Sequence, residues 1–201
     1  MPDSGKKGDA AFFKRPLSAM LLSLLGRLQL KLLLLYVVRL DGIPDVSPGC
    51  RTAEVILAGP ENLGELLPCM DKKEKFLKRF MQGDYCVMAR ENGRAAGYLW
   101  FCVKESCVEE MSGYEIKIPP GAVYCYDEYV SPECRKRGIF RGLYRAVACW
   151  MKEHGKGALL SIISHDNELS RNIHRKLGFR AVRRILYLKL FGFRYLRESG
   201  M

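Results

Sequence analysis

The sequence predicts an α/β fold in which strands and helices alternate along the chain. Two apolar runs, at 123–130 and 157–163, each lead into a stretch whose apolar residues have helical spacing. Two further apolar runs flank Asn92 and Gly93, a turn sequence that favours a β-hairpin. With 48% hydrophobic and 27% charged residues in a chain of 201, the composition is that of a globular domain rather than a disordered chain.

The predicted elements follow one another closely after a Gly/Pro linker at 41–49. The first part of the domain contains a strand at 51–57, helices at 60–70 and 71–82, and hairpin strands at 85–90 and 95–103. A polar excursion at 104–120 leads to the strand at 123–130, which Pro132 ends because proline has no N–H to donate. The second part contains a helix at 139–152, a strand at 157–163, a helix at 167–177, a strand at 181–190 and a basic-aromatic tail at 191–197. The helix at 71–82 is expected to expose most of its cations, which are Lys72, Lys73, Lys75, Lys78 and Arg79.

The first 40 residues form a separate feature, dominated by leucine from Arg15 to Leu40. Pro16 is well placed to begin a helix. Arg27 and Lys31 interrupt the run, so it contains no stretch of about 20 uncharged apolar residues that could span a bilayer. Three interpretations stay open: a helix packed on the domain or on a second subunit, a helix lying on a membrane surface, and a true transmembrane or signal segment. We therefore expect a disordered N-terminus, an attachment helix and a linker at 1–45, and an α/β domain at 46–201.

The cysteines indicate a reducing compartment. None of the eight forms a Cys-x-x-Cys pair, and with only three histidines no zinc-type ligand cluster is predicted. No signal peptide with a clean cleavage site is recognised, so we expect a cytoplasmic protein with free thiols. Cys134 is the cysteine expected to be exposed, and the cations around it are expected to lower its pKa.

The clearest functional pattern lies at 130–144, where a strand leads through a basic turn into a helix. The first N–H groups of a helix have no partner within the helix, and the helix dipole favours negative charge there. Full positive charges adjoin the same position, carried by Arg135, Lys136, Arg137 and Arg141. The pattern predicts a phosphate or pyrophosphate ligand at the turn around Gly138.

Two segments together resemble the GCN5-related N-acetyltransferases (GNAT), a superfamily of acyl-CoA-dependent acyltransferases. The segment from Val130 to Phe140 matches the pattern Val-x-Pro-x-x-[Arg/Gln]-x-x-Gly-x-[Gly/Ala]. The segment from Asn167 to Phe179 matches Asn-x-x-[Ala/Ser]-x-x-x-Tyr-x-x-Leu-Gly-Phe. The strong part of the resemblance covers about residues 120 to 182, and a looser part extends back to about residue 50.

The resemblance implies a GNAT-type mixed, mostly antiparallel sheet flanked by helices, and direct transfer of an acetyl or longer acyl group from CoA to an acceptor, usually an amine. It implies acetyl-CoA, or a longer acyl-CoA, as co-substrate, and no metal. Backbone amides of the basic turn would hold the CoA pyrophosphate. The residues that it assigns to the cofactor are Val130, Arg135, Lys136, Arg137, Gly138, Ile139, Phe140, Arg141, Asn167 and Ser170. Phe140 departs from the family pattern, which prefers Gly or Ala at that position.

The resemblance also suggests catalytic candidates. Glu128 is the first candidate base, because it alternates with Tyr124, Tyr126 and Val130 on one face of a strand where the family places catalytic acids. The alternatives are His165, Asp127 on the opposite face, and a chain of water molecules. His174 stands where the family often has a tyrosine that protonates the CoA thiolate, so it is either a proton donor or a packing residue. Backbone N–H groups between the fourth and fifth strands would polarise the thioester carbonyl.

The net charge of +11 is concentrated in the first 40 and the last 31 residues. Such a distribution favours a polyanionic neighbour: the CoA phosphates, an acidic acceptor, membrane headgroups or nucleic acid. Nucleic acid is the weakest of these, since no recognised binding motif is present. Two other function classes stay open: a membrane-surface acyltransferase acting on a lipid or lipid-linked sugar, and a non-catalytic acyl-CoA-binding module. The expected partners are acyl-CoA and an unidentified acceptor, with membrane contact or a homodimer through residues 15–40 as a further expectation.

Overall fold

The computed structural model of the protein describes residues 29–43, 53–110, 112–190 and 193–201. Its strands are β1 (Gln29–Arg39), β2 (Glu54–Ala58), β3 (Tyr85–Glu91), β4 (Arg94–Cys102), β5 (Ser106–Val108), β6 (Glu115–Lys117), β7 (Ala122–Val130), β8 (Ala158–Ser164), β9 (Arg180–Leu190) and β10 (Phe193–Gly200). Its α-helices are α1 (Leu63–Leu66), α2 (Lys73–Met81), α3 (Ile139–Glu153) and α4 (Glu168–Lys176).

Eight strands form one sheet in the order β10–β9–β1–β8–β7–β4–β3–β2, and β5 pairs with β6 separately. Neighbouring strands are antiparallel except for β7 and β8, which are parallel. Parallel neighbours need a crossover connection, and α3 provides it. The predicted mixed, mostly antiparallel sheet flanked by helices is confirmed.

Most predicted elements between residues 54 and 190 are present, with shifts of a few residues at their ends. The predicted helix at 60–70 is much shorter, because Pro60–Asn62 forms a 3-10 turn and only Leu63–Leu66 is α-helical. The predicted tail after β9 is instead the edge strand β10, which pairs with β9 along its length.

The N-terminal apolar-basic helix predicted from Arg15 to Leu40 is wrong for residues 29–39. These residues form β1, which lies between β8 and β9 and pairs with both. A central strand is buried on both faces and therefore reads as a continuous apolar run, which periodicity alone cannot distinguish from a buried helix. Residues 29–39 thus belong to the sheet of the domain and not to a separate unit ending at residue 45. The rest of the predicted helix, 15–28, lies outside the described residues.

The strands bury apolar side chains on both faces of the sheet. On β1, Leu34, Tyr36 and Val38 contact the layer formed by α3 and α4, while Leu33 and Leu35 contact the β5–β6 pair on the other face. The helices α1 and α2 cover that second face next to β3 and β4. On α3 the buried positions recur every four residues, at Ile139, Leu143, Val147 and Met151, as expected for one face of a helix. In the described part of the chain, no helix is long and apolar enough to cross a membrane.

Candidate active site

The parallel strands β7 and β8 separate partway along their length. Their pairing ends at Cys125 and Ser161, although the two strands continue to Val130 and Ser164. Beyond that point the facing backbone groups have no partner in this ladder and are available to a ligand. The separation opens a cleft of about 420 Å³, which we call the central cleft. Its polar lining includes Lys72, Lys75, Glu109, Glu110, Asp127, Glu128, Asn167 and Ser170.

A bulge in β7 determines which acids face the central cleft. Asp127 has φ of +44°, and the register with β4 shifts between Tyr98 and Trp100. As a result Tyr126 and Asp127 both contact groups on the α2 side, through Asp84 and Arg79, whereas Glu128 turns toward α3. The expected alternation of Glu128 with Tyr124 and Tyr126 on one face is therefore wrong. The expectation that Asp127 and Glu128 lie on opposite faces holds.

Glu128 belongs to a network with Tyr144 and His174. The Tyr144 hydroxyl lies 2.5 Å from Glu128 Oε1 and 2.9 Å from His174 Nε2, and Nε2 lies 3.5 Å from the same carboxylate oxygen. On the other side of the ring, His174 Nδ1 lies 2.8 Å from the carbonyl oxygen of Ser170. If Tyr144 donates to an ionised Glu128, it accepts from Nε2, and the Ser170 carbonyl accepts from Nδ1. Both ring nitrogens then carry a proton, so this arrangement favours the imidazolium form of His174.

Burial and charge act in opposite directions on His174. The ring is completely buried, which disfavours the charged form, but the Glu128 carboxylate and the Ser170 carbonyl outweigh burial and raise the pKa of His174. The Tyr144 hydroxyl is also buried, and burial and the charge of Glu128 keep its pKa well above the usual range. Tyr144 is therefore a hydrogen-bond donor near neutral pH. Of these three side chains, Glu128 alone is among the residues that line the central cleft.

Sequence reasoning missed Tyr144, although one signal was present. Tyr144 follows Leu143 on the buried face of α3, and a buried tyrosine hydroxyl usually has a hydrogen-bond partner. The three catalytic residues that were predicted, Glu128, His174 and His165, do not all lie together. Glu128 and His174 are brought together, whereas His165 is exposed in the turn after β8, where its N–H bonds the Leu32 carbonyl. His165 lines a different cleft, between α4 and β9.

Asp127 is held in a network of cations on the opposite side of the cleft. Lys72 Nζ lies 2.9 Å and Arg79 NH1 lies 2.5 Å from its carboxylate. Burial raises the pKa of this carboxyl, but the two cations outweigh burial and lower it overall. Arg79 is itself buried, bonds Glu110 over 2.7 Å and lies over the rings of Trp100 and Tyr126. The expectation that the cations of this helix are mostly solvated is therefore wrong for Arg79.

The basic turn, residues 135–138, leads directly into the N-terminus of α3. Gly138 has φ of +85° and Lys136 has φ of +63°, so the turn contains two left-handed residues. Arg137 forms an ion pair of 2.7 Å with Glu91, and Arg135 donates to the Val130 carbonyl over 3.2 Å. Lys136 and Arg141 are exposed and have no carboxylate partner among the described residues. The turn thus combines free helix N–H groups with two unpaired cations.

Phe140 and Cys134 are both directed into the protein near this turn. The Phe140 ring packs 5.1 Å from the Tyr144 ring and 5.7 Å from the His174 ring, so its bulk is accommodated in the interior. The predicted exposure and lowered pKa of Cys134 are wrong. Its side chain is buried, and burial together with Glu91 raises the pKa of the thiol.

The start of α4 borders the central cleft on its other side. Asn167 is the N-cap, and its side chain accepts a hydrogen bond of 3.1 Å from the Ser170 N–H. Both residues line the cleft, next to the end of β8. In the described residues no group of three or more His, Cys, Asp or Glu side chains is arranged to hold a metal ion.

Comparison with known proteins gives one consistent family. Residues 58–179 match the family model described as Acetyltransferase (GNAT) family. The chain is 36% identical over 61 residues to aminoglycoside N(6')-acetyltransferase type 1 of Acinetobacter baumannii, an alignment that covers 30% of this chain and 42% of that enzyme. It is 31% identical over 114 residues to the enzyme of the same name from Salmonella typhimurium, which covers 56% of this chain and 74% of that enzyme. The chain thus spans less than half the length of the first of these relatives.

Solved structures share the fold. The aminoglycoside N-acetyltransferase AAC(6')-Iy in complex with CoA superposes with a TM-score of 0.52 at 20% identity, over 63% of this chain and 91% of that one.

Proposed function

Because this chain belongs to the acetyltransferase (GNAT) family, we propose that it transfers an acetyl group from acetyl-CoA directly to an amine of a small polar acceptor. The observation that carries this proposal is the position of Glu128. Its carboxylate lines the cleft between the separated strands, with 12% of the side chain exposed, and it is hydrogen-bonded from behind by Tyr144. A carboxylate in that position can take a proton from a bound ammonium group and so free the nitrogen lone pair for attack.

The basic turn and the central cleft bind different parts of the co-substrate. The pyrophosphate binds the N–H groups at the start of α3, from Gly138 to Arg141, with Lys136 and Arg141 supplying charge. The amide-containing arm of CoA lies between β7 and β8, where the backbone groups have no ladder partner. Asn167 and Ser170 border this arm at the start of α4.

The reaction needs one new bond, one broken bond and three proton movements. Glu128 first takes a proton from the ammonium group, which frees the nitrogen lone pair. The acceptor nitrogen then attacks the thioester carbonyl carbon, a C–N bond forms, and the C–S bond breaks to give acetylated product and the CoA thiolate. The nitrogen loses its second proton in this step, and the thiolate takes up one proton to become free CoA, so that one proton in total is released. Backbone N–H groups at the β7 bulge polarise the carbonyl oxygen as negative charge develops on it.

His174 acts through Tyr144 in this scheme. Its ring is fully buried and does not line the cleft, so a proton from His174 reaches the site by way of Tyr144 and Glu128. The role of His174 as proton donor to the thiolate, suggested by its place in the family motif, remains a prediction. Its contacts support a positioning role, in which His174 and Tyr144 hold the Glu128 carboxylate in place.

The lining of the central cleft supports a cationic acceptor. Four carboxylates line it, Glu109, Glu110, Asp127 and Glu128. Asp127 and Glu110 are ion-paired with Lys72, Lys75 and Arg79, whereas Glu128 has no lysine or arginine partner among the described residues. Acids that surround an amine-binding site attract the charged amine and orient it. The relatives in Acinetobacter and Salmonella are named for amine-rich aminoglycosides, which supports a polyamine-like or amino-sugar acceptor class.

The two other function classes have less support. A lipid-directed enzyme was suggested by an attachment helix that includes residues 29–39, and those residues are a strand in the sheet. A non-catalytic acyl-CoA-binding module was suggested by Phe140 and His174. Both side chains are accommodated in the same buried aromatic group as Tyr144.

A thiol-release assay with acetyl-CoA and a panel of amines, amino sugars, peptides and amino lipids tests the proposal. We expect release with at least one soluble amine, and Glu128→Gln should lower kcat by about 100- to 10,000-fold, as for removal of a general base. Glu153→Gln changes an exposed acid at the end of α3 and serves as the matched control. Full turnover by Glu128→Gln would exclude it as the base. Acetyl-CoA binding without thiol release across the whole panel would instead favour the non-catalytic module.

A further inference from the structure

A second cleft lies between α4 and the strands β1 and β9. Its volume is about 630 Å³, and it shares no lining residue with the central cleft. Four of its lining residues are arginines, Arg171, Arg175, Arg180 and Arg184, and we call it the arginine cleft. The proposed reaction gives these residues no role.

The arginines of this cleft are not neutralised by the protein around them. Within the described ranges none of the four forms an ion pair with a carboxylate. Arg175 bonds the Asn172 side chain over 3.0 Å, and Arg184 Nε contacts the sulfur of Met201 over 3.3 Å. Four cations around one cavity repel one another, and a bound anion would remove that repulsion. The charge of the cleft therefore points to an anionic ligand.

Two buried donors independently indicate a missing hydrogen-bond acceptor. Tyr36 lines the arginine cleft and is 1% exposed, yet its hydroxyl has no hydrogen-bond partner among the described residues. The Nε atom of Arg171 is buried and unpartnered in the same way. A buried polar group without a partner is destabilising, and native proteins leave few of them. A ligand oxygen that reaches either donor would satisfy it.

The floor of the arginine cleft is apolar. Leu32 and Leu34 of β1, Ala181 of β9, and Phe179 form part of its lining, and the strand register places Leu34 opposite Arg184 and Tyr36 opposite Ala181. Leu34 and Phe179 are already buried, whereas Leu32 and Ala181 are half-buried. An anion attached to an apolar chain would cover Leu32 and Ala181 and gain the free energy of burying them, which a free inorganic anion would not.

We propose that the arginine cleft binds an amphipathic anion, a phosphate or carboxylate carried on an apolar chain, at a site distinct from the acetyl-CoA site. The anionic group contacts Arg171, Arg184 and the Tyr36 hydroxyl, and the chain lies over Leu32 and Ala181. Such a group occurs both in single-chain lipids and in the headgroup region of an anionic bilayer. Binding of either type requires the same arginines.

The test uses the full-length protein and dodecyl phosphate as the probe, below its micelle-forming concentration, with binding measured by calorimetry. We expect binding at least tenfold tighter than that of inorganic phosphate. Arg171→Gln and Arg184→Gln should each weaken it on the order of tenfold, since hydrogen bonds to charged groups are strong, and Tyr36→Phe severalfold. Arg94→Gln, at the exposed first residue of β4, is the matched control and should change nothing. Unchanged melting temperatures would show that the variants remain folded.

Three results would overturn the proposal: no probe binding, equal affinity for inorganic phosphate, or binding that the arginine and tyrosine variants leave intact. Displacement of the probe by acetyl-CoA would also overturn it, because the cleft would then belong to the co-substrate site.

Co-sedimentation with phosphatidylglycerol vesicles, but not phosphatidylcholine vesicles, and its loss in Arg184→Gln would identify a bilayer as the source of the anion. Probe binding without co-sedimentation would identify a single-chain ligand. Acetyl transfer by Arg184→Gln should match the unaltered protein in either case, so this site and the proposed function fail separately.

Discussion

Arg79 NH1 donates a hydrogen bond of 2.5 Å to Asp127 Oδ2. Asp127 has the left-handed backbone conformation that forms the β7 bulge. A non-glycine residue rarely adopts such a φ unless its surroundings compensate for the strain. Here the compensation is the network of Arg79, Lys72 and the Tyr98 hydroxyl on one carboxylate. Because the bulge also turns Glu128 toward Tyr144, a buried arginine on α2 helps to set the direction of the proposed base.

Arg79→Met should therefore reduce both stability and turnover. Removing Arg79 takes away the cation that Asp127 and Glu110 share and leaves each carboxylate with one lysine, Lys72 or Lys75. We expect a loss of about 3–5 kcal/mol in the free energy of unfolding. Denaturant titration measures this loss. Lys78→Met removes a neighbouring exposed cation on the same helix and should cost less than about 0.5 kcal/mol. Similar losses in the two variants would contradict a structural role for the pair.

Stability should fall with rising pH because of His174. Its pKa is raised on folding, so the stabilisation is fully present below its ordinary value of 6.5 and is lost as the pH rises through the higher folded value. Unfolding free energies measured between pH 6 and pH 9 should therefore decrease in the unaltered protein. The part of the slope due to this residue should disappear in His174→Gln and persist in His154→Gln, which changes an exposed histidine. An unchanged slope in His174→Gln would show that folding does not shift the pKa of His174.

Acetyl-CoA affinity should depend on the backbone of Gly138. Its φ of +85° is unfavourable for a residue with a Cβ, so Gly138→Ala should strain the turn by roughly 1–2 kcal/mol and shift the N–H groups of α3. We expect the affinity for acetyl-CoA to fall on the order of tenfold, because the shift weakens the hydrogen bonds from these N–H groups to the charged pyrophosphate. Gly155→Ala introduces the same kind of strain, at φ of +61°, beyond the other end of α3. Only the first change should affect binding measured by calorimetry.

Residues of β1 should behave as core residues of the domain. Leu33 is 0% exposed and Leu30 is 64% exposed on the same strand. Leu33→Ala should lower the free energy of unfolding by about 2–5 kcal/mol, because it leaves a cavity. Leu30→Ala should lower it by less than about 0.5 kcal/mol. Equal effects would favour a peripheral segment over a central strand.

Elements could be predicted from the sequence where the spacing of apolar residues and the turn residues at the element ends agree. Where one of these two signals is missing, the prediction was wrong. The β3–β4 hairpin, with Asn92-Gly93 at its turn, and the unit from β7 through α3 to β8 could be predicted because each strand ends at a turn signal and each helix has an amphipathic face. The strand β1 could not, because seven apolar residues in succession from Leu32 to Val38 fit a buried strand and a buried helix equally well.

For the candidate site, the motifs identified Glu128 and His174 but not their connection. That connection depends on a bulge at Asp127, which reverses the expected side-chain alternation, and no glycine or proline marks it in the sequence. It also depends on the rotation of α3, which directs Tyr144 between the two residues. The bulge and the rotation of α3 are both consequences of tertiary packing, and they cannot be predicted from the local sequence pattern.

The position of β1 between β8 and β9 has a consequence for synthesis on the ribosome. Leu33 is synthesised long before its partner Ile185, because most of the domain lies between them in the sequence. The leucine-rich strand β1 therefore stays unpaired until β8 and β9 have been synthesised. Contacts of such long sequence separation slow folding, and exposed apolar strands favour aggregation and chaperone binding in the interval. The nascent protein should consequently depend on holding chaperones more than a family member whose sheet is closed by sequentially adjacent strands.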